Sequence, residues 1–333
     1  MQSLIITSIA GSNNKILNQY AKEALENNTK FILIGDKKTP ETFNLESCDY
    51  YSIERQEQQN FKLSQSLPYN HYARKNIGYL IAAKNGTEII VETDDDNIPY
   101  SEFWNERKLY HQVKVLEGSN WINIYNLFTQ KKTWTRGFPL ELINEKKNIQ
   151  FIEKEIQCPI QQGLADDNPD VDAAFRLTHE LPVKFNKNLS FALGKNAISP
   201  FNSQNTTWFR KAFPLMYLPS YCSFRMTDIW RSFIAQRIAW TCDWGILYHS
   251  PTVYQERNEH NILNDFEQEI PGYLNNFKIM DALCNLELKT GEENIFDNLL
   301  KCYSLMVENS WITNKNELEL VETWILDLKK IGF

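Results

Sequence analysis

The chain has 333 residues, of which 42% are hydrophobic and 13% aromatic. This is enough to bury a sizeable core in one large domain, or in one domain with a smaller appendage. Its 35 Lys and Arg residues against 42 Asp and Glu residues give a net charge of -7. That balance argues against a general nucleic-acid-binding surface, which needs excess basic residues to neutralise phosphates, but it leaves open a basic pocket for one pyrophosphate.

The sequence carries no apolar run long enough to span a bilayer. Met1 to Ala10 have neither a basic leader nor a small-residue cleavage site. We therefore expect a cytoplasmic protein without a transmembrane segment, and peripheral contact with the inner face of a membrane stays open. The six cysteines are scattered without a close pair, so we expect neither a zinc site nor a disulfide framework.

The first hundred residues alternate between apolar runs and helical patterns. Leu4 to Ala10 and Phe31 to Ile34 are predicted to be buried strands, and a helix from about Lys15 to Asn27 is predicted between them. A second helix, capped by Asn70, precedes a third strand from Glu88 to Val91. Alternation of this kind predicts a parallel sheet that is covered by helices.

The remainder of the chain is less regular before it becomes helical. Trp121 to Phe201 contains polar loops and short extended runs, Asp228 to Trp240 is predicted to be a helix, and Gly245 to Tyr248 a short strand. From about residue 271 onwards the pattern is helical. We therefore predict an α/β fold with a catalytic domain over residues 1–270 and a helical C-terminal region over residues 271–333.

Three consecutive carboxylates, Asp94, Asp95 and Asp96, follow directly on the third predicted strand. In open α/β sheets, ligands bind beyond the carboxyl ends of the strands. Unit charges about 4 Å apart repel by roughly 1 kcal/mol in water and about 4 kcal/mol at an effective dielectric constant of 20. A hard cation relieves this repulsion, and Mg²⁺ or Mn²⁺ typically binds one or two carboxylates together with phosphates and water. A solvated acidic turn is the alternative, but the position after a buried strand favours a metal site.

A second acidic segment runs from Gly163 to Asp172. It is not an EF-hand, because Val171 stands where that loop needs glycine and no glutamate closes the loop. Two interpretations stay open. The segment contributes a carboxylate near the reacting group, with Asp166 as the candidate, or it is a turn that caps a helix starting near Val171.

Basic residues occur where a pyrophosphate would need them. Arg74 and Lys75 lie in the first turns of the helix before the acidic strand, and Lys37 and Lys38 follow Asp36 after the second strand. Arg136 precedes Gly137, which permits close backbone approach. Arginine is suited to bidentate contact with phosphate. Each of these residues, taken alone, is better explained as a surface charge.

Two further side chains are candidates for chemistry. His249 directly follows a predicted strand and is the best histidine candidate for a metal ligand, although a single histidine is more often structural. Asp228, at the start of a helix, is either a general base or a carboxylate that the helix dipole favours. The sequence contains no Gly-rich phosphate loop, GxSxG motif or HExxH motif, which excludes most other enzyme classes.

Several of these segments together resemble the STELLO family of glycosyltransferase-like proteins. That resemblance rests on Ile34 to Pro40, Leu67 to Leu80 and Arg136 to Glu141. The sequence is more distantly similar to the reversibly glycosylated polypeptides, the plant UDP-arabinopyranose mutases. The blocks that carry this second resemblance occur in the same order and are Asp94 to Asp96, Arg136 to Pro139, Gly163 to Ala173, Asp228 to Trp230 and Tyr248 to Ser250.

The resemblance implies a single Rossmann-like nucleotide-sugar-binding domain of the GT-A glycosyltransferase type, with a C-terminal helical appendage. It implies that Asp94 and Asp96 bind Mn²⁺ or Mg²⁺ and that His249 is a later metal or phosphate contact. It also places Asp36 near the uracil or ribose of a donor, and Arg74 near its base or phosphates.

The same resemblance bears on three more residues. Arg136 matches the arginine that becomes glycosylated in the mutases, and it is also a candidate to shape the sugar pocket. Asp95 is expected to contact the ribose, and Lys37 to lie with the donor. Membrane anchoring and Golgi placement are not carried over from the plant STELLO proteins.

The leading hypothesis is metal-dependent transfer of a sugar from a nucleotide-diphosphate donor, with a UDP-sugar favoured, to a glycan or lipid-linked acceptor. If the reaction inverts, a carboxylate deprotonates the acceptor hydroxyl, and Asp228 or Asp166 is the candidate. Two alternatives stay open. One is a mutase that interconverts pyranose and furanose forms of a nucleotide-sugar. The other is a non-catalytic scaffold of a polysaccharide-synthesis complex, against which the intact acidic run counts.

Overall fold

A computed structural model describes residues 1–118, 120–147, 149–256 and 261–333. The described strands are β1 (Gln2–Thr7), β2 (Thr29–Ile34), β3 (Cys48–Tyr51), β4 (Ile89–Thr93), β5 (Asn97–Pro99), β6 (Tyr110–Leu116), β7 (Asn120–Trp121), β8 (Ile152–Gln157), β9 (Ile160–Asp166), β10 (Ser190–Leu193), β11 (Ala197–Ile198), β12 (Asn205–Phe209) and β13 (Ile246–Gln255). The described α-helices are α1 (Lys15–Glu26), α2 (Ile53–Glu57), α3 (Lys62–Ser66), α4 (Lys75–Lys84), α5 (Ala173–Thr178), α6 (Thr227–Ala239), α7 (Ile262–Asn285), α8 (Ile295–Glu308) and α9 (Asn316–Lys330).

One large sheet dominates the molecule, with the strand order β3-β2-β1-β4-β12-β9-β13-β10-β6-β8 and with β5 added beside β13. Strands β7 and β11 form a separate parallel pair. From β3 to β4 all neighbouring strands are parallel, as the alternation of strands and helices predicted. Beyond β4 the sheet is mixed, because β12 runs antiparallel to both β4 and β9. The predicted α/β class is therefore confirmed, with a parallel half and a mixed half.

Helices cover both faces of the parallel half. The apolar side chains of Leu4 and Ile6 pack with helix α1 on one face, whereas Ile5 packs with helix α4 on the other. Gly78 permits the close approach of α4, since a Cβ there would stand 2.7 Å from Ile5 Cγ2. This two-sided burial explains why Leu4, Ile5 and Ile6 of β1 are all apolar rather than alternating.

Two predicted elements differ from the observed ones. Helix α4 is preceded by a 3₁₀ turn, and His71 caps that turn in place of the predicted Asn70: its Nδ1 accepts the backbone N–H of Ala73 at 3.0 Å. The strand predicted to end at Tyr248 continues to Gln255, because it pairs with both β9 and β5.

Helices α7 to α9 pack into the same apolar core as α4 and α6. The Glu317 carboxylate on α9 accepts backbone N–H groups of Ser220 and Tyr221 at 2.7–3.2 Å. Asp327 on the same helix caps α3 through the backbone N–H groups of Lys62 and Leu63. The boundary at residue 270 stays a prediction; in the structure this position lies inside α7. Within the described residues, we find no helix with the length and apolar character that a membrane crossing requires.

A fully buried ion pair ties β4 to α6. Arg231 Nη2 donates to Glu92 Oε1 at 2.8 Å, and both side chains are 0% exposed. Trp208 Nε1 donates to the same oxygen at 2.7 Å, and the Tyr79 hydroxyl donates to Glu92 Oε2. Because buried charges are tolerated only when they are paired and hydrogen-bonded, this cluster determines how α6 sits on the sheet.

Candidate functional site

The strand order creates a crevice beside β1. The chain builds β2 and β3 on one side of β1 and then returns to place β4 on its other side. In such sheets the connections after the two diverging strands leave opposite faces, so a ligand crevice opens beyond their carboxyl ends. A cavity of about 450 Å³ lies at this position. Its volume is within the range of small-molecule sites.

Most of the predicted site residues line this one cavity. They arrive from the loops after β2 and β4, from the turn before α4, from the segment between β7 and β8, and from the start of α6. The predicted residues among them are Asp36, Arg74, Asp94, Asp95, Asp96, Arg136 and Asp228.

Each carboxylate of the acidic run is held by a different part of the fold. Asp94 Oδ1 accepts the Tyr72 hydroxyl at 2.8 Å and Lys75 Nζ at 3.1 Å. Asp96 Oδ2 accepts Gln255 Nε2 from the end of β13 at 2.9 Å. The Ser8 hydroxyl, directly after β1, donates to Asp95 Oδ2 and so bridges the crevice between β1 and β4.

The electrostatics of the run suit a cation. Burial raises the pKa of Asp95, and the neighbouring charge of Asp94 raises it further. In the described part of the chain, no three His, Cys, Asp or Glu side chains are arranged as a complete metal site. A divalent ion at this run would therefore need further ligands from phosphate and water, as Mg²⁺ commonly takes.

Arg136 lies between two carboxylates, and all five of its N–H donors are used. Its Nε and Nη2 donate to the two oxygens of Asp170 at 2.7 and 2.8 Å. Its Nη1 and Nη2 donate to the two oxygens of Asp228 at 3.0 Å each. The remaining Nη1 donor meets the backbone carbonyl of Arg225. A guanidinium has no further donors, so Arg136 in this arrangement has none left for a phosphate.

This arrangement determines the protonation of the group. Burial by itself would lower the pKa of Arg136, but the carboxylates of Asp170 and Asp228 raise it well above its ordinary value. Burial would likewise raise the pKa of Asp228, but the charge and hydrogen bonds of Arg136 hold it below its ordinary value. Asp228 is therefore a weak base, whereas a good general base has a pKa near the working pH.

A chain of hydrogen bonds connects the acidic run with this group. The Tyr72 hydroxyl contacts both Asp94 and the Ser203 hydroxyl, at 2.8 and 2.7 Å. Ser203 in turn donates its hydroxyl and its backbone N–H to Asp228 Oδ2, each at 3.2 Å. Tyr72 and Ser203 thus connect Asp94 of the acidic run with Asp228 beside Arg136.

The nucleotide-side candidates Asp36 and Arg74 lie at the β2 end of the cavity. Asp36 Oδ2 accepts the backbone N–H of His71 at 3.1 Å, and its Oδ1 accepts that of Lys37 at 2.7 Å. The Arg74 guanidinium is buried and donates from Nε to Gln56 Oε1 at 2.9 Å. Burial lowers the pKa of Arg74. Its hydrogen bond to Gln56 fixes the guanidinium in the wall of the cavity.

Two predicted residues are displaced from the cavity. The Lys37 ammonium lies over the Tyr69 ring, 3.7 Å from its centroid, and Lys38 lines the cavity instead. Asp166 is buried at the end of β9, where its Oδ1 accepts the backbone N–H of Phe185 and its Oδ2 accepts Lys187 Nζ, both at 3.0 Å. Asp166 therefore braces a loop outside the cavity, and its role as a candidate base stays a prediction. The acidic segment reaches the cavity through Asp170 instead.

His249 is not brought to the acidic run. It lies within β13, opposite Gly163 of β9, and lines a second cavity of about 370 Å³. A Cβ at residue 163 would stand 2.7 Å from His249 Cε1, so the glycine makes room for this ring. Burial lowers the pKa of His249 to about 4. The structure thus places His249 in a different cavity from Asp94 and Asp96, because β13 reaches their cavity only six positions later, at Gln255.

Gly137, beside Arg136, permits the close approach of helix α6, whereas the sequence predicted the close approach of a pyrophosphate to the backbone. Its φ is 88°, and a Cβ would stand 2.4 Å from Ile229 Cγ2 on α6. Its carbonyl accepts Asn276 Nδ2 at 2.9 Å. The turn after Arg136 therefore packs against helices α6 and α7, and it presents the guanidinium rather than its own backbone to the cavity.

Three residues of the site were missed as site residues. Tyr72 lies inside the block that carries the family resemblance, and Asp170 lies in the second acidic segment, so a signal existed for both. Ser203 had none, because its contact with Asp228 joins positions that are 25 residues apart.

Asp172 supports the helix-capping interpretation of the second acidic segment. Its Oδ1 accepts the backbone N–H of Phe175 at 2.7 Å and so caps α5, and its Oδ2 accepts Trp134 Nε1 at 2.7 Å. Burial, supported by the charge of Glu269, raises the pKa of Asp172 to about 7.

This raised pKa predicts a pH dependence of stability. Between the ordinary value of 3.8 and about 7, the folded chain keeps a proton on Asp172 that the unfolded chain has lost. The free energy of unfolding should therefore fall as the pH rises through this window, by up to about 1.4 kcal/mol per pH unit from this group. Urea unfolding from pH 4 to 8 should show this slope in the wild type and in exposed Asp281→Asn, but not in Asp172→Asn. Equal slopes in all three proteins would contradict the assignment.

The fold and the cavity together define an α/β protein with a ligand crevice at the switch point of a 3-2-1-4 strand order. Residues 225–333 match the family model of the STELLO glycosyltransferases. The chain is 25% identical over 323 residues to the Arabidopsis thaliana protein named probable glycosyltransferase STELLO2, covering 91% of this chain and 42% of that one. It is 26% identical to probable glycosyltransferase STELLO1 of the same plant, with 91% and 41% covered. The predicted resemblance to the STELLO family is therefore confirmed.

The matches cover most of this chain but only part of each plant protein. The chain spans less than half the length of the two plant relatives. A mycobacterial protein of known crystal structure superposes with a TM-score of 0.40 at 10% identity, covering 86% of this chain and 76% of that one. The similarity to the STELLO proteins is thus established for the segment that forms the sheet, the cavity and the helices around it.

Proposed function

We propose that the cavity binds a nucleotide-diphosphate sugar, with a UDP-sugar favoured, together with Mn²⁺ or Mg²⁺, and that the chain transfers the sugar to a glycan or lipid-linked acceptor. One observation carries the proposal. Residues from five separate segments, predicted to act on one donor, converge on a single crevice at the carboxyl ends of β1, β2 and β4. The similarity to probable glycosyltransferases supports the same class of reaction.

The acidic run would hold the metal and the diphosphate. Asp94 and Asp96 are the ligands we assign, and a bound divalent ion would neutralise charge on the departing diphosphate. The chain's own contribution is orientation. Lys75, Tyr72 and Gln255 hold the two carboxylates at one lip of the cavity, so little reorganisation is needed when a donor binds.

The β2 end of the cavity would hold the nucleoside. The Asp36 carboxylate is fixed by two backbone N–H groups and faces the cavity, where it can accept a hydroxyl or imide hydrogen. Lys38 lines the same region and is the cation we assign to the phosphates in place of Lys37.

The group of Arg136, Asp170 and Asp228 would face the sugar. Two carboxylates against one guanidinium leave a net negative charge beside the acidic run. Because the pKa of Asp228 is held low, we assign this carboxylate to accepting hydrogen bonds from sugar hydroxyls rather than to removing a proton. Such hydrogen bonds orient the reacting carbon towards the acceptor.

The mutase alternative makes a contrasting prediction at Arg136. A glycosylated arginine must first offer a nucleophilic nitrogen, whereas all five donors of Arg136 are engaged and its pKa is raised. We therefore expect no sugar to become attached to the protein. Incubation with radiolabelled UDP-sugars followed by denaturing electrophoresis tests this expectation. Label that stays on the wild-type protein but is absent from Arg136→Lys would overturn it.

The transferase proposal is tested with a panel of UDP-, GDP- and CMP-sugars in the presence and absence of Mn²⁺. We expect one donor to release its free nucleotide in a metal-dependent manner, and more rapidly when oligosaccharide or lipid-linked acceptors are added. A ring-isomerised nucleotide-sugar would instead support the mutase. No binding of any nucleotide-sugar would contradict both enzymatic proposals and leave the scaffold hypothesis.

A further inference from the structure

The long helix α7 carries apolar side chains on two opposite faces. Its inner face is buried against neighbouring elements and includes Gly272, Ile279 and Leu283. Its outer face is also apolar, although it is open to solvent. The outer apolar residues are Leu263, Ile270, Leu274 and Phe277, which are 68%, 40%, 62% and 44% exposed.

The outer residues form one continuous seam. Leu263, Ile270 and Phe277 follow each other at intervals of seven residues, and Leu274 is one turn after Ile270. At about 100° per residue, these four side chains fall within an arc of roughly 60°. The solvent face of a surface helix is ordinarily polar, and spacing of this kind is typical of a helix that packs against another helix.

Two charged residues flank the seam on the same side. Glu267 and Lys278 are both exposed, and they lie at roughly 60° and 80° from Ile270 around the helix axis. The midpoint of Glu267 and Lys278 in the sequence falls between residues 272 and 273. The midpoint of Ile270 and Leu274 is residue 272, so the two pairs are centred on nearly the same point. A two-fold axis through this point would therefore bring opposite charges together.

We propose that the outer face of α7 binds the same face of a second copy of this chain, with the two helices antiparallel. Under that symmetry Ile270 packs against the partner's Leu274, and Glu267 faces the partner's Lys278. Each contact occurs twice, as in any two-fold interface. The charge pairs favour the antiparallel orientation, because a parallel pair would place each Glu267 beside the partner's identical residue.

The charges on the outer face disfavour a membrane surface as the occupant. Helices that lie on membranes carry a polar face rich in Lys and Arg. The charged residues that α7 exposes are Glu267, Lys278 and Asp281, with a net negative charge. Anionic lipid would be repelled by this face, whereas a second copy complements it.

Analytical ultracentrifugation of the full chain over a wide concentration range tests the proposal. The seam is small beside the roughly 800 Å² per partner that a stable dimer buries, so we expect a dimer that dissociates on dilution. Leu274→Glu should remove the dimer. Leu25→Glu, at an equally exposed position on α1 that is 65% accessible, should leave it unchanged.

Charge reversal distinguishes the proposed orientation from other modes of pairing. Glu267→Lys and Lys278→Glu should each weaken the dimer by about tenfold, because each places two like-charged pairs at the interface. The combined variant should restore the wild-type dissociation constant. A chain that stays monomeric at every concentration overturns the proposal, as does a combined variant as weak as either single one. A third outcome also overturns the proposal. If the chain is monomeric and sediments with anionic vesicles, and if Leu274→Glu abolishes this sedimentation, the outer face of α7 binds lipid instead.

Discussion

Asp96→Asn should lower the affinity for UDP in the presence of Mn²⁺ by at least about 100-fold. Loss of an outer-shell partner alone typically costs 10- to 100-fold in metal affinity, and a direct ligand should cost no less. The asparagine keeps the shape of the side chain but removes the negative charge that we assign to the metal. Isothermal titration calorimetry with and without Mn²⁺ measures the effect, and the metal-free affinity should change little.

The control for this experiment is another aspartate in an acidic segment. Asp167→Asn removes a carboxylate that pairs with Lys184 at 2.7 Å and does not line the cavity. Its Mn²⁺-dependent affinity should match the wild type. An unchanged affinity in Asp96→Asn would show that the metal is bound elsewhere, whereas equal losses in both variants would indicate a long-range effect of net charge.

Arg231→Met should lower the free energy of unfolding by roughly 3–5 kcal/mol, because it leaves the Glu92 carboxylate buried without its counter-ion. The remaining donors, from Tyr79 and Trp208, satisfy its hydrogen bonds but supply no positive charge. Urea unfolding at neutral pH, monitored by fluorescence and by circular dichroism, measures the loss.

Two further variants make this result specific. The double variant Glu92→Gln with Arg231→Met removes both charges and should be less destabilised than the sum of the two single variants. Lys289→Met, which breaks an exposed pair with Asp297, should stay close to the wild type. If the double variant loses as much as the sum of the singles, the two charges are not coupled and our account of the cluster is wrong.

The local parts of the site could be predicted from the sequence. The acidic run follows a strand whose apolar residues are buried on both faces, so its position at the carboxyl edge of the sheet followed from the pattern alone. Arg74 was placed by its position in the first turns of a predicted helix, whereas Asp36 was placed by the family resemblance. These residues now line the cavity that was expected.

Two predicted site residues that lie outside this cavity, Asp166 and His249, belong to the mixed half of the sheet. His249 directly follows a predicted strand, as the acidic run does, and Asp166 lies in an acidic segment for which no strand was predicted. The registers of β9 against β12 and of β13 against β9 decide which side chains reach the cavity. A shift by one residue would turn every side chain of such a strand to the opposite face.

By itself, then, the sequence determined the α/β class, the parallel strands around β1, and the presence of a carboxylate-rich site at their edge. Apolar runs and turn residues act over short distances, so a local pattern is enough to specify them. Only the tertiary structure decided that Arg136 is saturated by Asp170 and Asp228, and that Ser203 and Tyr72 connect this group to Asp94. These contacts join residues up to 131 positions apart, and their partners are chosen by strand register and helix packing rather than by any spacing in the chain.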